Sequence, residues 1–235
     1  MSAAPPMDAQ MTTERMAADD FSALSESEAV VLRSVHEVCT AVYRTAMMNE
    51  TTRPDCFKFL YSIMEQVPAP NGEVDYLEVG SFKGASLLVI ASILRALGKL
   101  GDIVSIDPYF AEGYEQTPPF KNDTIVMRST ESTMRSALRL YDAAGLKVAL
   151  LRDTSANAMV ELMKQGRKFD FLYIDGNHEQ LHPMVDTSLG LQLLRPGALL
   201  MLDDANWPDV KPVARLCRLH LKPVGAGFGK ACFQV

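Results

Sequence analysis

From Val74 onward, apolar runs of strand length alternate with amphipathic stretches of helix length. The first run is VDYLEVG (74–80), and four further runs continue the alternation: DIVSIDPY (102–109), KVALLRD (147–153), FDFLYIDG (169–176) and ALLMLDD (198–204). Continuous apolar strands separated by helices are typical of a parallel sheet that is covered on both faces. Two short segments, around Val224 and at 230–235, would complete the sheet. We therefore predict an α/β fold with a doubly wound, mostly parallel, seven-stranded sheet.

Two regions precede this pattern. Residues 1–22 are small, polar and proline-containing, so we expect a disordered tail. They do not have the basic start and apolar core that are typical of a secretory signal. Residues 23–68 are expected to form an N-terminal helical extension, because Ser25 and Glu28 have capping-box spacing and Pro54 stands near the first turn of a second helix. This extension could cover the functional site or form a subunit interface, and both alternatives stay open.

Charge and composition limit the partners of the chain. Its 235 residues carry a net charge of −6 with a pI of about 5.3, which argues against a nucleic-acid or anionic-membrane partner. No apolar run reaches the roughly 18 residues needed to cross a bilayer. The four cysteines lack metal-ligand spacing, which favours buried thiols in a reducing cytoplasm. We expect a cytoplasmic homo-oligomer that binds a small molecule, and neither nucleic acid nor a membrane.

An acidic residue stands at or near the carboxyl end of every apolar run. These residues are Glu78, Asp107, Asp153, Asp175, Asp203 and Asp204. Parallel strands present their carboxyl ends at one edge of a sheet, and open α/β sheets bind their ligands there. The sequence therefore predicts one crevice whose function strongly demands negative charge.

The loop after the first run, YLEVGSFKGAS, would form part of that crevice. Gly80 and Gly84 allow a tight turn and a close approach of the backbone to a ligand. Glu78 occupies the first glycine position of a G-x-G-x-x-G motif, where its charge would repel a pyrophosphate, so NAD and FAD are disfavoured. Asp107 is placed to accept hydrogen bonds from ribose hydroxyls. A nucleoside that carries positive charge, such as S-adenosylmethionine, fits both acids.

Over about residues 73–235 the chain resembles a class I S-adenosylmethionine-dependent methyltransferase. The resemblance is carried by E-x-G-x-x-x-G in this loop, Asp107 after the second strand and RDTS (152–155) after the third. The resemblance implies a Rossmann-like fold and S-adenosylmethionine as cofactor. It implies these cofactor-binding residues: Glu78, Gly80, Ser81, Gly84, Asp107, Asp153 and Ser155. The last two would lie near the adenine, although Ser155 fits a helix cap equally well and Asp153 could pair with an arginine.

The fourth and fifth strands carry a more specific pattern. YIDGNHE (173–179) followed by LLRPGALLMLDDANWPDV (193–210) resembles the metal-dependent O-methyltransferases that act on sugars and macrolides, together with cephalosporin hydroxylase-like proteins. The resemblance implies a site for Mg²⁺ or another divalent cation with the ligands Asp175, Asp203 and Asp204. Catechol methyltransferases have a similar layout, with a lysine and an asparagine where this chain has His178 and Asp204, and that difference favours the sugar and macrolide group.

The chemistry of these residues supports a metal site independently. Three carboxylates that converge at strand ends stay ionised together only beside a cation, and a divalent ion makes a coordinated hydroxyl more acidic. His178, with a pKa near neutral, is expected to take the proton as general base. A zinc site formed by His178 and His182 is disfavoured, because Pro183 predicts a helix start there.

The sequence thus predicts a Mg²⁺-dependent O-methyltransferase that acts on a small hydroxylated acceptor. One alternative is a metal-independent methyltransferase that uses His178 alone. Another is a non-catalytic cofactor-binding protein on the same fold, since fold does not fix function. Residues 109–130 are too many for an ordinary connection and would form either a lid over the acceptor or a surface insertion.

Overall fold

The computed structural model describes residues 21–44, 50–109, 114–116 and 127–235, with the backbone alone at 114–116 and 127–129. The helices in these ranges are α1 (Glu26–Tyr43), α2 (Pro54–Gln66), α3 (Ala85–Ala96), α4 (Glu131–Ala143), α5 (Ser155–Lys164), α6 (His182–Leu193) and α7 (Val210–His220), with 3₁₀ turns at Phe21–Ala23 and Glu50–Thr52. The strands are β1 (Val74–Val79), β2 (Leu100–Ile106), β3 (Tyr114–Gln116), β4 (Met127–Ser129), β5 (Val148–Leu151), β6 (Phe169–Ile174), β7 (Leu194–Leu202), β8 (Lys222–Gly227) and β9 (Lys230–Gln234).

Seven of the strands form one sheet in the order β5-β2-β1-β6-β7-β9-β8. The first five are parallel, and β9 runs antiparallel to both β7 and β8. This arrangement confirms the predicted doubly wound, mostly parallel, seven-stranded α/β fold. The strand order reverses between β1 and β6, and ligands of such sheets bind beyond the carboxyl ends of the strands at that point.

Helices cover both faces of the sheet because successive side chains of each strand point to opposite faces. On one face, Tyr76 and Phe171 pack with α1, α2, α3 and α4. On the other face, Leu77 and Leu172 pack with α5, α6 and α7. The candidate site lies at the edge that these two cores share.

The N-terminal helices pack onto the first of these faces. Ser25 and Glu28 form the predicted capping box at the start of α1, and Pro54 opens α2. Helix α1 contacts α3 and α4, so these helices join the core of the sheet. Most of the predicted tail, residues 1–22, and most of the long stretch 109–130 lie outside the described residues.

Strand β7 begins earlier than the sequence indicated. The apolar run ALLMLDD predicted this strand from Ala198 onward, but the preceding helix ends at Leu193, and Pro196 and Gly197 lie inside β7. The pairing with β6 shifts from Phe169↔Leu194 to Phe171↔Leu199, so the pair sits in an irregular stretch of strand. Gly197 has a φ of 83°, which an irregular strand tolerates at glycine.

In the part of the chain that the structure describes, no helix is both long enough and apolar enough to cross a membrane.

Candidate active site

The strand register aligns one residue from each of five neighbouring strands, β2, β1, β6, β7 and β9, along the carboxyl edge of the parallel strands. In order, these residues are Asp107, Gly80, Asp175, Asp203 and Lys230. The backbone ladder continues into this row, since the Asp175 amide donates to Val79 at 2.8 Å and the Asp203 amide donates to Ile174 at 2.9 Å. The acids that the sequence places after different strands therefore meet at one edge, as expected for parallel strands.

Asp175, His178 and Asp204 form a compact group, the acid–histidine group, at this edge. Their possible metal-ligating atoms all lie within 4.8 Å of one another. The His178 Nε2 atom is 3.4 Å from Asp175 Oδ1 and 3.7 Å from Asp204 Oδ2. The His178 ring is buried and lies 5.0 Å from the Trp207 ring, centroid to centroid. The group therefore joins two carboxylates and one imidazole in a confined space.

The electrostatics of this group reflect burial and crowded negative charge. Burial, followed by the charge of Asp203, raises the pKa of Asp175 to about 7 and that of Asp204 to about 6. Burial alone would lower the pKa of His178, but the hydrogen bond and charge of Asp175 outweigh it and raise this pKa above 6.5. Either protons or a bound cation relieve such repulsion between neighbouring carboxylates.

Asp203 lies next to this group but has partners of its own. Its Oδ1 atom accepts hydrogen bonds from Lys230 Nζ at 2.8 Å and from the Asp204 amide at 2.8 Å, and its Oδ2 atom accepts one from the Tyr173 hydroxyl. Burial would lower the pKa of Lys230, but the adjacent carboxylate raises it, so the ammonium stays charged. Of the three predicted metal ligands, the structure therefore groups Asp175 and Asp204 with His178, and pairs Asp203 with a lysine.

The glycine loop between β1 and α3 passes close to the same edge. Gly80 has a φ of 89°, and a Cβ atom there would lie 2.0 Å from the Asp175 carbonyl oxygen. Gly84 has a φ of 84°, and a Cβ atom there would lie 2.7 Å from the Tyr141 ring. Both positions thus require glycine for conformation and for space, and Gly80 brings the loop into contact with a residue of the acid–histidine group.

Glu78 lies in β1 just before this loop, and Ser81 is part of the loop. The fully buried Glu78 carboxylate accepts hydrogen bonds from the Tyr76 hydroxyl and, at 2.9 Å, from the Ser86 hydroxyl. Burial raises the pKa of Glu78 to about 8. The Ser81 hydroxyl is hydrogen-bonded to that of Ser105. Through these hydrogen bonds the two predicted cofactor residues tie the loop to α3 and to β2.

Asp107 and two tyrosines hold the outer part of the loop. The Phe82 amide donates to Asp107 Oδ2 at 2.8 Å, and the Phe82 carbonyl accepts from the Tyr109 hydroxyl at 2.7 Å. The Tyr43 hydroxyl, from α1, donates to the Lys83 carbonyl at 2.7 Å. The helical extension thus contacts the glycine loop directly, and both roles considered for it stay open.

The remaining predicted cofactor residues, Asp153 and Ser155, lie where α5 begins. Thr154, and not Ser155, caps this helix. The Ser155 hydroxyl instead donates a 2.5 Å hydrogen bond to the buried Asp186 of α6, so the expectation of a helix cap at Ser155 was wrong. Asp153 Oδ1 accepts from the Thr154 amide at 2.7 Å and from Asn157 at 3.1 Å, and among the side chains that the structure describes no arginine pairs with it.

Sequence reasoning missed three residues of this region. Lys230 is a lone charge at the start of an apolar strand, and that contrast was the available signal. Asp186 is an acid on the buried side of a helix, where it needs a partner. Tyr43 ends an amphipathic helix, and nothing in the sequence indicates which carbonyl it reaches.

Comparison with known proteins agrees with this geometry. Residues 77–205, more than half of the chain, match a family model described as a methyltransferase domain. The uncharacterized protein R132 of Acanthamoeba polyphaga mimivirus is 27% identical over 145 residues, which are 60% of this chain and 57% of that protein. The chain thus spans about 57% of the length of this relative.

Two solved structures share the fold. The O-methyltransferase NovP superposes with a TM-score of 0.60 at 15% identity, over 88% of this chain and 98% of that one. The O-methyltransferase from Bacillus cereus, solved in complex with SAH, gives a TM-score of 0.55 at 18% identity, over 96% of each chain. The family match runs from β1 to just past the acid pair after β7, so it includes both the glycine loop and the acid–histidine group. This chain is therefore a member of the methyltransferase-domain family.

Proposed function

We propose that this protein transfers the methyl group of S-adenosylmethionine to a hydroxyl of a small natural-product or sugar-like acceptor, with the help of a divalent cation. One observation carries the proposal: Gly80 of the glycine loop lies against Asp175, which belongs to the Asp175–His178–Asp204 group. A cofactor on the loop and a hydroxyl at the group would be neighbours, and such proximity is a main source of catalytic power in methyl transfer.

The cofactor would lie along the glycine loop. Gly80 and Gly84 give the loop a backbone path that larger residues would prevent, and the methionine part would lie along that backbone. The side chains of Glu78 and Ser81 are held by Ser86 and Ser105. Asp107 would face the ribose, and Asp153 and Ser155 would stand toward the adenine. The SAH-bound Bacillus cereus enzyme of similar fold supports this choice of cofactor.

A divalent cation fits the acid–histidine group. Asp175 and Asp204 offer two carboxylates with raised pKa values close together, and a cation would allow both to ionise. Carboxylate oxygens are the ligands that Mg²⁺ prefers in proteins. When bound, the ion would make an acceptor hydroxyl more acidic and orient it. The sequence prediction adds Asp203 to the ligands, but in the structure this carboxylate is paired with Lys230.

His178 would act as the general base. As the oxygen–carbon bond forms and the sulfur–carbon bond breaks, the acceptor hydroxyl would lose its proton to the imidazole, leaving a methyl ether and S-adenosylhomocysteine. The resulting imidazolium would be stabilised by Asp175 and Asp204, whose oxygens lie 3.4 and 3.7 Å from Nε2. Trp207, packed against the ring, would limit its rotation.

The test is turnover with S-adenosylmethionine and a panel of hydroxylated acceptors, read by mass spectrometry as a gain of one methyl group. Product with an acceptor from the panel supports the proposal. Tight binding of S-adenosylhomocysteine without methylation of any acceptor would favour a non-catalytic cofactor-binding protein instead.

A metal-independent methyltransferase is the second candidate, and the Lys230–Asp203 pair favours it. This lysine already supplies positive charge to the carboxylate row, so part of the demand for a cation is met within the chain. Exhaustive chelation separates the two candidates. Loss of turnover that a divalent salt restores supports the metal-dependent enzyme, whereas undiminished turnover selects the metal-independent one.

A further inference from the structure

Lys230 is a charged residue in a nearly closed environment. It is 3% exposed, and its Nζ atom lies 2.8 Å from Asp203 Oδ1 and 3.4 Å from both Glu50 Oε2 and the Phe228 carbonyl oxygen. An ammonium has three donors, and the structure offers it three acceptors. A buried lysine with this set of partners is a fixed positive charge at the candidate active site.

Asp203 is the nearest of those partners, and both of its oxygens are used. Oδ1 accepts from Lys230 and from the Asp204 amide, while Oδ2 accepts from the Tyr173 hydroxyl. A divalent ion at Asp203 would have to displace these donors or share an oxygen with an ammonium 2.8 Å away. An ion and an ammonium that share one carboxylate oxygen would be like charges close together, and such charges repel strongly in a buried site.

The same contacts fix the backbone of the neighbouring acid. Asp204 has a φ of 47°, an unusual conformation for a residue with a side chain, and its amide is held by Asp203. The next amide, that of Ala205, donates to the Gly229 carbonyl at 2.6 Å. The turn before β9 and Lys230 itself therefore hold the acid pair from one side, and the direction of Asp204 follows from this arrangement.

On the basis of the divalent-ion site proposed above, we infer that Asp203 is a positioning residue and not a metal ligand. Lys230 keeps it out of coordination by neutralising it. The ion is then held by Asp175 and Asp204 with His178 alongside, and Asp203 acts on it only through Asp204. This assignment separates the two adjacent acids, which the sequence prediction treated as equivalent ligands.

If Lys230 keeps Asp203 out of coordination, removal of the lysine should strengthen metal binding. In Lys230→Met, Asp203 loses its counter-ion and becomes available as a further carboxylate ligand, so Mn²⁺ should bind about tenfold more tightly, because ligand charge sets the affinity of such sites. In the double variant Lys230→Met with Asp203→Asn, the affinity should return to within about threefold of the wild type. A lysine with a merely structural role would weaken binding when it is removed.

The experiment is a calorimetric titration of the full chain with Mn²⁺, with free Mn²⁺ followed by electron paramagnetic resonance. Asp203→Asn should change the affinity by less than about threefold, and Asp204→Asn should weaken it by about tenfold or more. The control is Lys222→Met, which removes an exposed lysine from the neighbouring strand β8 and should leave Mn²⁺ binding unchanged.

The outcomes separate this inference from the proposed function. Weaker or unchanged binding in Lys230→Met, or a tenfold loss in Asp203→Asn, would overturn the positioning role and restore Asp203 as a ligand. Wild-type protein that binds no Mn²⁺ would contradict the metal in the proposed function and, with it, the positioning role of Asp203, whereas wild-type protein that binds Mn²⁺ no less tightly than Lys230→Met would overturn the inference alone. If Lys230→Met does not fold, Lys230→Gln and the two aspartate variants decide the question in the same way.

Discussion

The hydroxyl of Tyr43, at the end of α1, donates a 2.7 Å hydrogen bond to the carbonyl oxygen of Lys83, in the loop between β1 and α3. One partner belongs to the N-terminal extension and the other to the segment that would bind the cofactor. The position of the loop therefore depends on a helix outside the alternating strand and helix pattern.

Replacement of this tyrosine should weaken cofactor binding. Tyr43→Phe removes one hydrogen bond to the loop, which contributes about 1 kcal/mol, so the affinity for S-adenosylhomocysteine should fall about fivefold. Calorimetry measures this change. Tyr61→Phe, which removes a hydroxyl from α2 of the same extension, serves as the matched control. Equal affinities in the two variants would show that the extension does not support the loop.

Gly80 should tolerate no side chain. Gly80→Ala adds a Cβ atom 2.0 Å from the Asp175 carbonyl, in addition to the strain of a positive φ. Gly98→Ala is the control, because Gly98 also has a positive φ, of 67°, but no atom within 4 Å of the added Cβ. We expect the control to lose about 1–2 kcal/mol of unfolding free energy and Gly80→Ala to lose at least about 1–3 kcal/mol more. Similar losses in both variants, measured by chemical denaturation, would argue against crowding at Gly80.

His178 should matter to the rate and not to cofactor affinity. His178→Gln is expected to lower kcat by about a hundred- to ten-thousand-fold, while the affinity for S-adenosylhomocysteine changes by less than about twofold. His182→Gln, an exposed histidine on the adjacent helix, is the control.

The pH profile provides a second check on His178. A base accepts a proton only when it is neutral, so kcat should rise with pH through the range in which the His178 imidazole loses its proton. A His178→Gln variant that keeps most of its turnover and the wild-type pH profile would assign the proton to another acceptor.

The carboxylates at the site should make folding stability depend on pH. The pKa values of Glu78, Asp175 and Asp204 are raised to about 8, 7 and 6, first by burial. Carboxyl groups in an unfolded chain titrate near pH 4, so the folded state holds more protons between about pH 4 and pH 8. The metal-free protein should therefore lose stability as pH rises through that range, because the folded state must give up those protons.

Thermal unfolding at pH 5, 6.5 and 8 would measure this trend, and the Tm should fall at each step. A divalent salt added at pH 8 should restore part of the loss, and Asp175→Asn should flatten the slope. A Tm that rises from pH 5 to pH 8 would contradict the raised pKa values.

Ser155 offers a test between a structural role and a cofactor role. Ser155→Ala removes the donor to the buried Asp186 and should cost about 1–3 kcal/mol of unfolding free energy. Ser188→Ala, in which an exposed hydroxyl is lost from α6, should cost less than about 0.5 kcal/mol. Unchanged stability together with weaker S-adenosylhomocysteine binding in Ser155→Ala would show that Ser155 binds the cofactor and has no structural role.

The alternation of apolar runs was enough to predict the sheet, because period and length alone distinguish buried parallel strands from the helices between them. The same rule located Asp175 and Asp204, since residues that follow neighbouring parallel strands must meet at one edge. The end of a strand can be located in the sequence, and in a parallel sheet its position in space is known. This part of the candidate site could therefore be predicted.

The partners of individual side chains could not be predicted from the sequence in the same way. Whether Asp203 faces an ion or a lysine depends on the register of β9 against β7, which pairs Leu202 with Ala231 and so places Lys230 beside Asp203. The Pro196-Gly197 pair was misplaced for a related reason, because tertiary pairing with the strands on either side extends β7 across residues that usually stop an element. Both depend on contacts between segments far apart in sequence.

Strand β9 enters the sheet between β7 and β8, although it follows both of them along the chain. An intermediate in which β7 has formed and β9 has not would have an open strand edge and an Asp203 without its ammonium partner. Lys230 reaches Asp203 only when β9 has paired with β7, because the register of these two strands places it there. We therefore expect the charge balance of the candidate active site to be set at the same folding step that seals this edge of the sheet.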